Sequence, residues 1–286
     1  MRSFFQDYLA RPYVGDRAIE DGLPNQITRT YLASRSDASH YGPARGATLE
    51  ESDSTHAADC PPEVEWLTAA VDVQRGGQRA PGRLYYVATG WDAQGRSFDL
   101  AWGHLILAPV GTQPNTAELH AGLDRMHALL ASLAQEYGRP LARRGVDVGD
   151  RQDELRLWLI KHPEWWPVKG MASSMKADQK QSRLFDMGGT ICRREITERA
   201  GRWWLYWIDT PNCRREAQSA FRVPAMKPGA AHLPVGLSNN DTIVRHYCGT
   251  AEIPSHAGGS RWSEKDADRK HHPEWQRRVD YLDCRT

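Results

Sequence analysis

WLTAAVDVQ, residues 66–74, is the stretch from which the rest of the chain is read. A continuous apolar run this short is a strand covered on both faces. One carboxylate, Asp72, sits in the middle of it. A carboxylate in such a place is costly unless it has a partner, a metal, or an exit at the strand edge. Two further acids sit in similar surroundings: Asp147 in GVDVG (145–149) and Asp283 in VDYLDC (279–284). The three are expected to converge and hold divalent metal.

Outward from that stretch, the chain divides at Pro61-Pro62. Residues 1–62 read as an N-terminal docking helix and linker, and residues 63–286 as one α/β domain. Phe4, Phe5, Tyr8 and Leu9 lie at helical spacing before Pro12, while 34–60 lacks periodicity and reads as a linker or long loop. Strands are expected at 67–73, 83–91 and 97–107, joined by short turns and therefore antiparallel. A helix over 114–137 follows, with Leu119, Leu123, Met126, Leu130, Leu133 and Tyr137 as its apolar stripe and Gly138 as its stop.

A short strand at 146–148 comes after that helix, so it is expected to run parallel to a strand of the first set. Asp150 is placed to cap a helix through about Lys161. Strand-like WWPVK (165–169) is followed by a polar stretch over 171–182, then a hairpin of 190–197 and 202–208. Asp209-Thr210-Pro211 starts a helix running to about Phe221. Asn240 or Asp241 caps a segment over 242–248, 251–276 reads as loop around Trp262, and a helix begins within 277–286. The sum is a mixed sheet with helices on its faces, in which the first and fourth strands can be neighbours.

Composition narrows the function less. Thirty-seven basic and 36 acidic side chains give a net charge of +1, so overall charge does not mark a nucleic-acid binder, although a local basic patch is compatible with it. Five widely spaced cysteines, none in a C-x-x-C pair, fit reduced thiols in a cytosolic setting and argue against a zinc knuckle or a disulfide framework. No apolar run is long enough to span a membrane. Eleven tryptophans read first as sheet core and packing anchors, with a base-stacking surface as the alternative.

These acids, with their flanking sequence, resemble the C-terminal nuclease part of the large terminase subunit of tailed bacteriophages, the lambda-type gpA family. The resemblance is carried by FFQDYLARPY (4–13), WLTAAVDVQ (66–74), GVDVGDRQDELRLWL (145–159), WWPVKG (165–170), WLYWIDTPNCRREA (204–217), GAAHLP (229–234) and VDYLDC (279–284). It implies a ribonuclease H-like fold, a metal-dependent endonuclease cutting concatemeric viral DNA during packaging, and Asp72, Asp147 and Asp283 as its metal-binding acids. It also implies double-stranded DNA as substrate, with the terminase small subunit, the packaging ATPase module and the portal as partners in the bacterial cytoplasm. No G-x-x-x-x-G-K-[ST] string occurs, so the family's ATPase activity is not expected of these residues. The sequence stops three residues after Asp283, where family members continue into a helix, and reads as truncated there. Competing readings are a catalytically inactive docking fragment and a ribonuclease H-like nuclease unrelated to packaging.

The chemistry needs acids of this kind. Two Mg²⁺ or Mn²⁺ ions about 4 Å apart activate water and stabilise the leaving 3′ oxygen of a phosphodiester. Such hard cations take carboxylate oxygens. Asp72, in mid-sheet, is expected to bridge both ions, with Asp147 and Asp283 completing their shells. The plainer alternatives are a capping role for Asp72, an Asx-type turn at Asp147, and surface charge at Asp283, for which Asp280 is a competitor. Lys169, Lys176, Lys180 and Arg183 flank the polar stretch and are candidates for phosphate contact. His271-His272 lacks a further ligand at zinc spacing.

Overall fold

The structure, a computed structural model, describes residues 29–42, 45–47, 53–78, 80–149, 151–170, 191–198, 201–208, 210–236, 247, 251–254 and 260–263. In chain order the elements are α1 (Arg29–Asp37), β1 (Arg45–Ala47), β2 (Ser54–Ala57), β3 (Trp66–Gln74), β4 (Gly82–Trp91), β5 (Ser97–Ala108), α2 (Thr116–Tyr137), β6 (Leu141–Asp147), α3 (Gln152–Lys161), β7 (Trp165–Gly170), β8 (Ile191–Glu198), β9 (Gly201–Ile208), α4 (Thr210–Ala220), β10 (Ala231–His232), β11 (Ala251–Pro254) and β12 (Ser260–Ser263). The main sheet runs β1-β2-β5-β4-β3-β6-β7-β9-β8, with β10 added beside β5. β3, β4 and β5 are antiparallel, whereas β6 and β7 continue the sheet parallel to β3. That central order, three antiparallel strands and then two parallel ones reached through a helical crossover, is the ribonuclease H-like arrangement.

The antiparallel half follows from its short turns. Asp92 accepts from the backbone of Gln94 and Arg96 at 2.9 Å each, and Gly95 takes φ 71°, which closes the β4–β5 hairpin. The crossover helix α2 is fixed at both ends. Asn115 accepts from the Glu118 amide at 3.0 Å while the Glu118 carboxylate accepts from the Asn115 amide at 2.8 Å, a reciprocal cap. Gly138 ends the helix in the left-handed region at φ 62°. Between the caps, Leu119, Leu123, Met126, Leu130 and Leu133 are buried against Val71, Leu84, Tyr86, Leu105 and Val146 of the sheet. Fully burying each such side chain contributes about 1.5–3 kcal/mol, more than any helix propensity could. At Gly122 a Cβ would lie 2.1 Å from Leu107 Cδ2, so a larger residue there would displace that side chain.

α2 and α3 therefore cover one face. α1 and α4 cover part of the other: Leu32, Ala217, Ala220 and Phe221 pack with Tyr85, Val87 and Trp102. Trp102, Trp158, Trp165 and Trp203 are buried, as the packing-anchor reading expects.

Four local expectations are corrected. Residues 54–57, read as linker, form β2 on the main sheet, pairing with β5 from Ser54↔His104 to Ala57↔Ala101. Asp53 is the physical reason: its carboxylate accepts from the Ile106 amide at 2.8 Å and pairs with Arg125 of α2, so a polar segment with no hydrophobic period is still held to the sheet. Residues 29–37 of the same polar region form α1, held by Leu32 and by Tyr31, whose hydroxyl donates to the Phe221 carbonyl at 2.9 Å. Within 251–276, β11 and β12 pair antiparallel where a loop is expected, with Trp262 opposite Glu252. The cap of α3 also shifts. Its N-cap is Arg151, whose guanidinium donates to the Pro114 carbonyl at 2.8 Å and to Glu154, while Asp150 lies outside the described residues.

Candidate metal centre

β3 and β6 run side by side in parallel, in register through Ala70↔Gly145 and Val71↔Val146. Asp72 and Asp147 are the next residue on each strand. Adjacent strands stand about 4.8 Å apart, so the two backbones carry these acids at nearly that separation. The alternation of the sheet puts both on one face. Val71, Val146 and Val148 belong to the core under α2, and Asp72 and Asp147 are therefore on the opposite side. Gly145, two residues before Asp147, supports this: its Cβ would contact Val168 Cγ2 at 3.5 Å and Ala70 Cβ at 3.9 Å.

Each carboxylate is oriented by a neighbour two residues on. The Gln74 side-chain amide donates to Asp72 Oδ2. The Gly149 amide donates to Asp147 Oδ1 at 2.9 Å, so the Asx-type turn weighed for Asp147 is present. That turn and a ligand role are compatible, because a carboxylate has about four acceptor positions on its two oxygens. Asp72 is 7% exposed and Asp147 is half-buried at the strand end. Across the sheet from Asp72, Tyr85 lies in register, then His104, then Ser54. The Ser54 hydroxyl bonds His104 Nδ1 at 2.8 Å, and the Arg83 guanidinium donates to the Tyr85 hydroxyl at 3.1 Å.

Gln74, Arg83 and Tyr85 were not singled out by the sequence. Gln74 had a signal, its place two residues after Asp72 on the same strand face. Arg83 and Tyr85 had none before the register was known. Asp283, with Asp280, His271, His272, Lys176, Lys180, Arg183 and the 1–14 helix, lies outside the described residues. Lys169 is described, and it turns to the other face: its ammonium lies 5.6 Å from the ring centre of Trp207, which packs against the α2-side core.

A second group with ligand chemistry exists among the described residues. His127, His162 and Glu164 bring one ligand atom each within 4.8 Å of one another. They are already engaged. The Trp165 indole donates to His127 Nδ1 at 3.1 Å, and Arg144 lies 3.5 Å from that nitrogen and 3.4 Å from Glu164 Oε1. Burial first, and Arg144 second, hold the His127 imidazole below its ordinary pKa. A guanidinium in that position opposes a cation, so this cluster is an ion-pair network on the α2 side.

The donor set of Asp72 and Asp147 fits a hard divalent ion. Both contribute carboxylate oxygens, the ligands Mg²⁺ and Mn²⁺ take, and both lie on rigid strands at a separation that ions about 4 Å apart can share.

Comparison with known proteins supplies the last finding. The family model described as terminase large subunit gpA, endonuclease domain, matches residues 1–286. No curated protein matches. Among solved structures, the large terminase nuclease from thermophilic phage G20c is similar to this chain in three crystals. With bound cobalt it has 12% identity and a TM-score of 0.40, covering 88% of this chain and 94% of its own. A second crystal has 12% identity and a TM-score of 0.40, covering 89% and 96%. With bound magnesium the values are 12% and 0.37, covering 88% and 95%.

Proposed function

The chain belongs to the family of terminase large subunit gpA endonuclease domains, hydrolases that cut DNA phosphodiesters in phage genome packaging, and we propose that it does so with divalent metal held by Asp72, Asp147 and Asp283. The observation that carries the assignment is the register of β3 and β6, which sets Asp72 beside Asp147 on the sheet face away from α2. Asp283, or Asp280 beside it in sequence, is the third donor by family resemblance.

The roles of the residues follow from where they stand. Asp72, held by Gln74 in mid-sheet, would hold the metal from the centre of the site. Asp147, at the end of β6 and fixed by the Gly149 amide, completes one side. The strands fix where the two carboxylates start, and the Gln74 and Gly149 contacts narrow their rotamers, so less ordering is left to metal binding. When bound, two Mg²⁺ or Mn²⁺ ions supply an activated water and neutralise charge on the leaving oxygen. The partners proposed are double-stranded DNA, the terminase small subunit, the packaging ATPase module and the portal, in the host cytoplasm. Among the described residues no helix is long and apolar enough to cross a membrane.

Nicking of supercoiled plasmid tests this reading. The full chain should nick in Mn²⁺ and stop in EDTA. Asp147→Asn should lower the rate by roughly 10–100-fold, about 1.4–2.7 kcal/mol of barrier, because it weakens one ligand and leaves Asp72 in place. Equal rates for Asp147→Asn and the parent would remove Asp147 from the site. A purified parent that never nicks, with metal present, would favour the inactive docking fragment.

A further inference from the structure

The face that carries Asp72 and Asp147 also carries a run of aromatic rings that the metal chemistry does not use. Trp166 is two residues before Val168, the register partner of Asp147, and Val168 pairs in turn with Tyr206. Side chains two apart on a strand share a face, so Arg143, Trp166, Tyr206 and Trp204 all lie on the side of the acids. They are joined to one another. The Arg143 guanidinium lies over the Trp166 ring, 5.0 Å from its centre. Trp166 and Tyr206 stack with centres 4.4 Å apart and planes within 2° of parallel. Trp204 continues the run and is 43% exposed.

An exposed tryptophan, a flat stacked pair and an exposed arginine at its edge form an amphipathic ribbon across β6, β7 and β9. The apolar sides of α1 and α4 go instead to Tyr85, Val87 and Trp102 on the β4–β5 side of the acids. By strand spacing, Trp166 is about 7–8 Å from Asp147 and Trp204 about 12 Å. Successive base pairs rise about 3.4 Å, so a duplex with one phosphate at the acids extends over the ribbon within three or four steps.

Resting on the endonuclease reading above, we propose that Arg143, Trp166, Tyr206 and Trp204 form the contact surface for the sugar–phosphate backbone of the DNA strand flanking the bond to be cut. Charge decides the occupant. Arg143 adds a fixed cation to the ribbon on the face where a polyanion must lie for a phosphate to reach Asp72 and Asp147; one of its N–H groups donates to the Ala142 carbonyl at 2.7 Å, and the guanidinium has further donors for phosphate oxygens. The rings supply apolar surface for deoxyribose, and Trp204 stacks on a base wherever the strand end is unpaired.

The test is DNA binding by the full chain in EDTA, where cleavage does not confuse the reading, using a short labelled duplex with single-stranded overhangs and fluorescence anisotropy over a range of salt. Arg143→Ala should raise Kd about 5–10-fold and reduce the slope of log Kd against log salt by about one phosphate contact. Arg143→Lys should keep the slope. Trp204→Ala should raise Kd at least about 5-fold with the slope unchanged, the mark of a stacking rather than an ionic contact. Trp204 and Arg143 are exposed, so melting temperature should not move, and Trp204→Phe with partial retention of affinity guards against a folding defect. Affinity within about twofold of the parent in both alanine variants, with an unchanged slope, overturns the proposal. So does a change confined to the sedimentation coefficient, which makes the ribbon a contact between copies of the chain. A parent that binds duplex but never nicks, with the variants weaker, supports the ribbon and counts against the metal site alone.

Discussion

Asp72→Asn should abolish metal-dependent nicking, by at least about a thousandfold, while leaving the fold intact. The magnitude follows from position. Asp72 lies within the central strand, 7% exposed, with the Gln74 amide on one of its oxygens and Asp147 on the neighbouring strand. As the proposed metal ligand in mid-sheet it would hold the site from its centre, so the neutral amide would weaken the whole site; a thousandfold loss corresponds to about 4 kcal/mol of barrier. The fold should survive because asparagine has the same shape, and removing one of two neighbouring negative charges relieves repulsion that metal otherwise offsets. In EDTA the melting temperature should therefore stay level or rise slightly, and Mn²⁺ should no longer raise it. A variant that nicks at the parental rate, or that unfolds, would show that Asp72 is a structural acid.

The second large effect is on stability. Trp102→Ala should cost about 3–5 kcal/mol, the range for emptying a buried aromatic site. Trp102 is fully buried on β5, stacked on His56 with ring centres 5.6 Å apart. It joins Tyr85 and Val87 of β4 to Leu32 of α1 and Phe221 next to α4. Its loss would loosen the cover that two helices form on the acid face. For a domain of this size, about 2–4 °C per kcal/mol predicts a fall of roughly 6–20 °C in Tm. Trp102→Phe should cost markedly less. Nicking by the alanine variant at low temperature should recover in proportion to its folded fraction, since Trp102 itself touches nothing in the reaction. A Tm within a degree or two of the parent would mean that the cluster does not join α1 and α4 to the sheet.

The order of strands was legible because each step had a local cause. Gly95 and Asp92 enforce a tight turn, and tight turns enforce antiparallel pairing. The long amphipathic α2 then forces the next strand to return parallel beside β3. Asp72 and Asp147 stood out as candidates for a different reason: a charged residue in an apolar strand is a cost that requires an explanation. What was missed had no such mark. β2 is short and polar, and belongs to the sheet through the Asp53 contacts with Ile106 and Arg125, which no periodicity announces. α1 hid in the same polar stretch, held by a single buried leucine and a few polar contacts. Asp150 was read as the cap of α3 by residue type, whereas the N-cap is Arg151, whose guanidinium reaches the Pro114 carbonyl 37 positions away. The stacking of Trp166 on Tyr206 depends on β7 and β9 being neighbours, a pairing between strands separated by residues 171–200.

Crystals of the full chain soaked in Mn²⁺ and measured for anomalous scattering test the central claim most directly. Manganese should lie within coordination distance of carboxylate oxygens from both Asp72 and Asp147, and the same soak of Asp72→Asn should lose that density. Manganese seated only at His127, His162 and Glu164, on the far face of the sheet, would contradict the account, as would metal bound equally well by the variant.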